Sequence, residues 1–333
     1  MLYCNVWLAL RDAALIFFLT TSKYQFTHLA VLEAATTVIR VKSYAEILTR
    51  TRLPVATYIF TDIDRMSIDV QHQATQIFQL LLDQGCTVLN NPARIPSRYG
   101  LLRQLHAREL NQFNAYRVED NPVPRRWPVF LREDKGHDGV ASDLLYKPSE
   151  VRAAIRTALK KGRPLSNLIL VEYAAEKLTA DLFRKLSVFR LGNQWIGHTC
   201  VHSRSWQTKV GETGIASTEL YDDEFRIVRD NPYLEGTRPA FEISRIDYGR
   251  ADFGFVGGKI QVYEINTNPV VKFGKEHPFP RRMQSYELFR ENYLRSLAAL
   301  DTPASDRFVT VPESPWNRKV RRAPGTGTGG TAP

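Results

Sequence analysis

The chain has 333 residues, 43% of them hydrophobic and 24% charged, which excludes a wholly disordered protein and leaves room for a sizeable core and two or three lobes. Net charge is +10, but Arg318, Lys319, Arg321 and Arg322 lie in a terminal stretch, WNRKVRRAPGTGTGGTAP, that has no acidic residue; removing these four leaves about +6 on the rest. Basic residues in the body are interleaved with acidic ones and form no aromatic-studded stripe, so no specific nucleic-acid partner is expected.

In chain order, the first apolar run is AALIFFLTT (13–21). It is too short to span a bilayer and lacks a basic leader, so it reads as a buried strand or helix and no membrane partner is expected. PVATYIF (54–60) reads as a buried strand. IDVQHQATQIFQLLLDQG then places Val70, Ala74, Ile77, Phe78, Leu81 and Leu82 on one helical stripe that ends at Gly85. CTVLN (86–90) is the next strand, and strand–helix–strand with short connections implies a parallel α/β unit. Between the two strands, YIFTDIDRMS (58–67) carries Asp62, Asp64 and Arg65 at a strand end, where ligands can gather; capping by Asp64 or Ser67 and a local ion pair is the preferred reading.

A helix follows over about 97–110, then a proline-rich break, NPVPRRWP (121–128), and a strand, VFLRE (129–133). DKGHDGVAS (134–142) is a polar, glycine-containing loop, KPSEVRAAIRTALKKG an amphipathic helix, and LILVEYA (168–174) a strand. LSVFRLGNQWIGHTCVHS reads as a hairpin, with His198 and His202 taken as surface residues and Arg204 and Lys209 as anion contacts for substrate. ETGIAS (212–217) is a loop, and a C-terminal helix covers about 283–300. From 301 onward Pro, Ser, Thr and Gly dominate, and a disordered tail is expected. Cys4, Cys86 and Cys200 are widely spaced without a CxxC pair; neither a disulfide framework nor a zinc site is expected, and a cytoplasmic setting fits.

RADFGFVGGKIQVYEINTNP (250–269) carries most of the chemistry. Strand formers flank Gly257-Gly258, the sign of a hairpin. Arg250 and Asp252 share a face of one strand, and Glu264 and Asn266 share a face of the other. A two-residue turn would pair Val256 with Lys259, set Asp252 opposite Tyr263 and point Glu264 away, which would rule out a metal site here. A three-residue loop, Gly257-Gly258-Lys259, would set Asp252 opposite Glu264 and bring all four polar groups together, and this loop is expected. Two carboxylates and an amide oxygen on one wall are hard ligands suited to Mg²⁺, with the neighbouring arginine placed for phosphate.

Arg250-x-Asp252 followed by Glu264-Ile-Asn266-Thr-Asn-Pro269 resembles the terminal Mg-ATP signature of the ATP-grasp superfamily, as in D-alanine–D-alanine ligase and glutathione synthetase-type enzymes. The resemblance extends over about residues 90–300. It implies an α/β and α+β chain with an ATP-grasp fold: an N-terminal Rossmann-like domain (1–92), then an ATP-grasp domain of two lobes (93–300) with a hinge near 172–175, and the tail (301–333). Asp252, Glu264 and Asn266 would hold two Mg²⁺ ions, and Arg250 would be the catalytic stabiliser of phosphoryl transfer. ATP would meet Arg98 and Arg132, at positions where the family usually has Lys. The Gly136, Gly139 and Ser142 backbone would cover its phosphates. Glu172, Tyr173 and Ala175 would contact its base, and Asp181 or Lys185 its ribose. The implied activity is a Mg-dependent, carbon–nitrogen bond-forming ligase that activates the carboxylate of a small molecule or peptide as an acyl phosphate and releases ADP and phosphate. A non-catalytic nucleotide-binding protein of the same fold is the alternative, and a homodimer is compatible with either.

Overall fold

The computed structural model describes residues 15–136, 139–209, 211–274, 276–302 and 306–312. Cys4, the His137-Asp138 tip of the glycine loop and the basic cluster at 318–322 lie outside these residues. Strands β1 (Leu15–Thr20), β2 (Val38–Ser43), β4 (Thr57–Phe60) and β5 (Thr87–Leu89) form a parallel sheet in the order β2-β1-β4-β5, with β3 (Arg52–Pro54) beside it. The apolar run at 15–20 is thus a central strand. Its alternating side chains enter two cores, since Phe17 and Leu19 meet Ile77, Phe78 and Leu81 of the Ile68–Asp83 helix, whereas Ile16 and Phe18 meet Phe289, Tyr293 and Leu297 of the Pro280–Ala298 helix. Ser67 caps the first of these helices through Val70 N at 3.3 Å. Leu82, on the edge of the expected stripe, remains 48% exposed.

Strands β6 (Ala115–Arg117), β7 (Val129–Glu133) and β8 (Leu168–Glu172) form an antiparallel sheet in the order β6-β8-β7. One face packs on the Pro148–Lys160 helix, and the other takes Leu102 of the Arg98–Ala107 helix. A second antiparallel sheet contains β9 (Lys177–Thr179), β10 (Leu182–Leu191), β11 (Gln194–Gly197), β12 (Val201–Ser203), β13 (Tyr248–Val256) and β14 (Lys259–Asn266), with the main order β11-β10-β13-β14. The α/β plus α+β layout expected from the sequence is therefore the observed one.

Asn90 stitches the two halves. Its buried amide donates to Phe60 O (2.9 Å) and Tyr248 O (2.8 Å) and accepts from the Asp247 and Tyr248 amides (2.8 and 2.9 Å), joining β4 to the start of β13. The tail assignment needs correction over 306–312. Strand β15 (Phe308–Thr310) pairs antiparallel with β3, and Val309 and Val311 are buried in the first core. A Pro/Thr-rich composition hid two well-placed valines.

The hairpin also departs from expectation. Val256 pairs with Lys259, so the turn has two residues, Gly257 and Gly258, both at positive φ (56° and 73°) as a turn matched to strand twist requires. The ladder runs regularly to Phe253↔Val262 and then resumes at Asp252↔Glu264, so Tyr263 is a bulged, unpaired residue. The surplus residue lies in the strand rather than in the turn, and the opposition of Asp252 and Glu264 is kept.

Tyr263 crosses over Gly254, where an added Cβ would stand 2.4 Å from the tyrosine hydroxyl, and that hydroxyl donates to Ala174 O at 3.0 Å. A Gly254→Val protein is expected to lose about 1–3 kcal/mol of stability through overpacking, measured by urea denaturation against wild type; an unchanged midpoint would mean the ring moves aside freely.

Candidate active site

The four hairpin residues form two rows, Arg250↔Asn266 and Asp252↔Glu264, and the second row continues onto β10 as Ser187↔Asp252. Asp252 is 2% exposed. Its Oδ1 accepts from Arg250 Nε (2.7 Å) and Ser187 Oγ (3.0 Å), and its Oδ2 from Arg250 Nη2 (3.2 Å) and Lys185 Nζ (3.0 Å). Burial opposes ionisation of this carboxyl, but the Arg250 and Lys185 cations outweigh it and hold the group below its ordinary range. Glu264 Oε2 accepts from Arg132 Nη2 (3.0 Å) and from Arg98 Nε and Nη2 (3.3 and 3.1 Å). Burial, followed by the neighbouring Arg98 charge, pushes Arg132 down to about 10. Asn266 Oδ1 accepts from the Asn268 amide at 2.8 Å.

These side chains stand beside a cleft, open to solvent, between the two antiparallel sheets. Its lining includes apolar Leu102, Phe130 and Val171, with Trp206 packed against Phe130 (5.0 Å) and edge-on to Tyr173 (5.7 Å). It also includes the charged Arg132, Lys185, Lys209, Asp252 and Glu264. Hydrophobic walls with a few convergent charges are the usual make-up of a small-molecule site. Among the described residues, no group of three or more His, Cys, Asp and Glu side chains could hold a metal. The oxygen donors on this wall are two opposed carboxylates and one amide, all of which also accept bonds from within the protein. That set fits Mg²⁺, which keeps waters and substrate phosphate oxygens as its remaining ligands.

Of the residues expected from the sequence, Arg132, Gly139, Glu172, Tyr173, Ala175, Lys185, Lys209, Asp252 and Glu264 line this cleft. Lys209 sits over the glycine loop, where a Cβ on Gly139 would meet its Nζ at 3.5 Å. Other expected residues are off this wall: Arg250 and Asn266 form the neighbouring row without lining the cleft, and Arg98 lines a second pocket. Asp181 and Arg204 line a separate open groove, and Arg204 pairs with Glu212 at 3.0 Å. Ser142 is absent from the cleft wall; its hydroxyl accepts from Leu131 N (2.9 Å) and donates to Asp143 O (2.7 Å), which finishes β7. Gly136 turns its carbonyl to Arg98.

Glu172 reaches the cleft wall, but its carboxylate is taken up within the protein. Asn114 N (2.9 Å), Tyr116 Oη (2.7 Å), Arg125 N (3.0 Å) and Arg126 N (2.9 Å) all donate to it. The carboxylate holds the β6–β7 connection together, in place of the base-reading role expected of it.

Sequence reasoning missed Trp206, Ser187, Arg184 and Glu176. Period-two alternation on β10 would have found Ser187, which shares a face with Lys185. Glu176 accepts from Gly257 N at 2.6 Å, tying the segment after β8 to the hairpin turn, and no local signal marks it. At 58–67 the preferred reading holds, because Asp62 is buried against Thr21 and Arg65 in a local ion pair.

The two histidines are not surface residues. His198 packs edge-on to Phe289 (4.5 Å) and Phe189 (5.2 Å), and His202 is 4% exposed. Burial lowers His198 to about 3 and His202 to about 4; it also lowers His28 to about 3, only partly offset by Asn268. All three are neutral in the fold, whereas in the unfolded chain they take up protons near the ordinary value of 6.5. Their contribution to stability is therefore complete above about pH 6.5 and is lost as pH falls toward 4, at up to about 1.4 kcal/mol per histidine per pH unit. Urea midpoints at pH 7.5 and pH 5 are expected to differ clearly in that direction, and equal midpoints would contradict the burial of these rings.

No protein-family model matches the chain, and no curated protein matches it. Among solved structures it is similar to D-alanine–D-alanine ligase from Bacillus anthracis complexed with ATP, at 10% identity and a TM-score of 0.48 over 86% of this chain and 99% of that one. It is similar to VanG D-Ala:D-Ser ligase from Enterococcus faecalis at 12% identity and a TM-score of 0.49, with the same coverage of 86% and 99%. A third such structure is the D-cycloserine synthetase DcsG, at 13% identity and a TM-score of 0.44, covering 84% of this chain and 99% of that chain. At these values the likeness is one of overall layout, and the chemistry has to be read from the site itself.

Proposed function

We propose that the protein is an ATP-dependent ligase of the ATP-grasp type. The observation that carries this reading is the register of β13 and β14, which sets Asp252 across from Glu264 and Arg250 across from Asn266, beside a cleft lined by both basic and aromatic side chains. A nucleotide fits the cleft with its base against Trp206, Phe130 and Tyr173 and its phosphates toward Arg132, Lys185 and Lys209. Asp252, Glu264 and Asn266 would hold up to two Mg²⁺ ions, which when bound supply neutralisation of phosphate charge.

The protein's share is positioning and electrostatics. Arg250, fixed by two bonds to Asp252, offers a guanidinium edge where charge develops on the transferred phosphoryl group. A substrate carboxylate oxygen attacks the γ-phosphorus of ATP while the bond to the β–γ bridging oxygen breaks, giving an acyl phosphate and ADP. An amine then attacks the acyl carbon, the acyl C–O bond to the phosphorus-bound oxygen breaks, and inorganic phosphate leaves carrying the proton lost by the amine. Among the described residues no helix is long and apolar enough to cross a membrane; a cytoplasmic enzyme acting on a small molecule or peptide is the reading we adopt.

Titration calorimetry with ATP, with and without Mg²⁺, tests the site first, and heat-silent injections in both would refute it. Hydroxylamine trapping of an acyl phosphate, with ADP release screened over amino acids, peptides and small carboxylates, then tests the reaction. Nucleotide binding without carboxylate-dependent ADP release under any of these would favour a binding protein of the same fold.

A further inference from the structure

Resting on the nucleotide-site reading, we infer that Arg98 is a positioning residue, a strut between Glu264 and the base of the glycine loop, and not a phosphate ligand. A guanidinium has five N–H donors, and each of those of Arg98 is spent inside the protein. Nε donates to Glu264 Oε2 at 3.3 Å. Nη1 donates to the carbonyls of Glu133 (2.6 Å) and Asp134 (2.8 Å). Nη2 donates to Gly136 O (3.0 Å) and again to Glu264 Oε2 (3.1 Å). The side chain is 6% exposed.

Its position gives the same answer. Glu264 borders two pockets: the cleft, which Arg132 lines and Arg98 does not, and a second pocket beyond it, which Arg98 lines and Arg132 does not. Arg98 therefore stands behind Glu264 as viewed from the cleft. A phosphate could be reached only by giving up a bond to a carbonyl or to Glu264.

The arrangement converts a helix start into a support for catalysis. Arg98 opens the Arg98–Ala107 helix, whose Tyr99 amide donates to the buried Asp134 carboxylate at 2.7 Å. Together these bonds fix the carbonyls of Glu133, Asp134 and Gly136 relative to β14, so the glycine loop leaves its root at a set distance from Glu264. A lysine ammonium has three donors on a flexible stem and cannot span the same set of acceptors.

Two measurements on the nucleotide-free protein test the inference. In R98K, trypsin is expected to cut after Lys135 about tenfold faster than in wild type, with cleavage elsewhere unchanged, because the open population of the loop root rises. In unaltered protein, phenylglyoxal should leave Arg98 unmodified with or without MgATP, read by mass spectrometry of its peptide; this second measurement stands even if R98K fails to fold. Unchanged cleavage after Lys135 in a folded R98K, or labelling of Arg98 in free protein that MgATP suppresses, would overturn the strut. If wild type binds no MgATP in calorimetry, the nucleotide reading falls separately, while both nucleotide-free readouts still decide whether Arg98 is a strut.

Discussion

Glu264→Gln is expected to lower ATP turnover by about 10²–10³-fold or more while the fold is retained, since the change removes a preorganised charge and keeps the shape. The substitution also leaves Arg98 and Arg132, 6% and 14% exposed, without their shared counter-charge. Affinity for Mg-free ATP should then rise or hold, while the gain in affinity that Mg²⁺ confers should shrink. Calorimetry in both conditions with steady-state ADP release measures this. A variant that turns over ATP at the wild-type rate, or that keeps the full Mg²⁺ effect, would remove Glu264 from the metal-holding set.

Glu172→Ala should act on stability rather than on nucleotide choice. Four donors converge on this carboxylate, which is 1% exposed, and three of them are backbone amides, of which only that of Arg125 also reaches Tyr116 Oη, at 3.2 Å. Hydrogen bonds to a buried charge are strong, and leaving their donors unmet costs more than the bonds contribute, so a loss of about 3 kcal/mol or more is expected. Urea denaturation reads it directly. The contrary result, a variant of wild-type stability with altered preference between ATP and GTP, would restore Glu172 to the base-reading role that its place in LILVEYA suggests.

These two glutamates show what was legible in the sequence and what was not. Glu264 could be found because strand alternation and a Gly-Gly turn confine its neighbours to few arrangements, and the chemistry of the face follows from residue type. Glu172 could be placed on the right strand and at the cleft, but not assigned its partners. Those come from Asn114 and the Arg125–Arg126 backbone, 46 to 58 positions away in sequence, and no local pattern announces them. Arg98 is the same case: the resemblance implies a phosphate contact, and only tertiary structure reveals that carbonyls and Glu264 have taken its donors. The parallel sheet and the flanking helices were readable because hydrophobic periodicity records burial. The Thr218–Asp230 and Leu234–Ser244 helices went unread; the second carries Pro239 inside it, which argues locally for a break.

The bulge at Tyr263 has a consequence for how the hairpin tolerates changes in length. Between Asp252 and Glu264 the chain holds one residue more than a two-residue turn and a plain ladder can use, and Tyr263 is where that residue is parked. Losing it would close the ladder without separating the two carboxylates, whereas its side chain, bonded to Ala174 just after β8, would be gone. The facing carboxylates and the Tyr263–Ala174 bond are thus written in different residues and can be lost independently: a deletion at 263 would remove that bond, leave Glu176 on Gly257 N as the remaining tie, and keep the carboxylate pair facing each other.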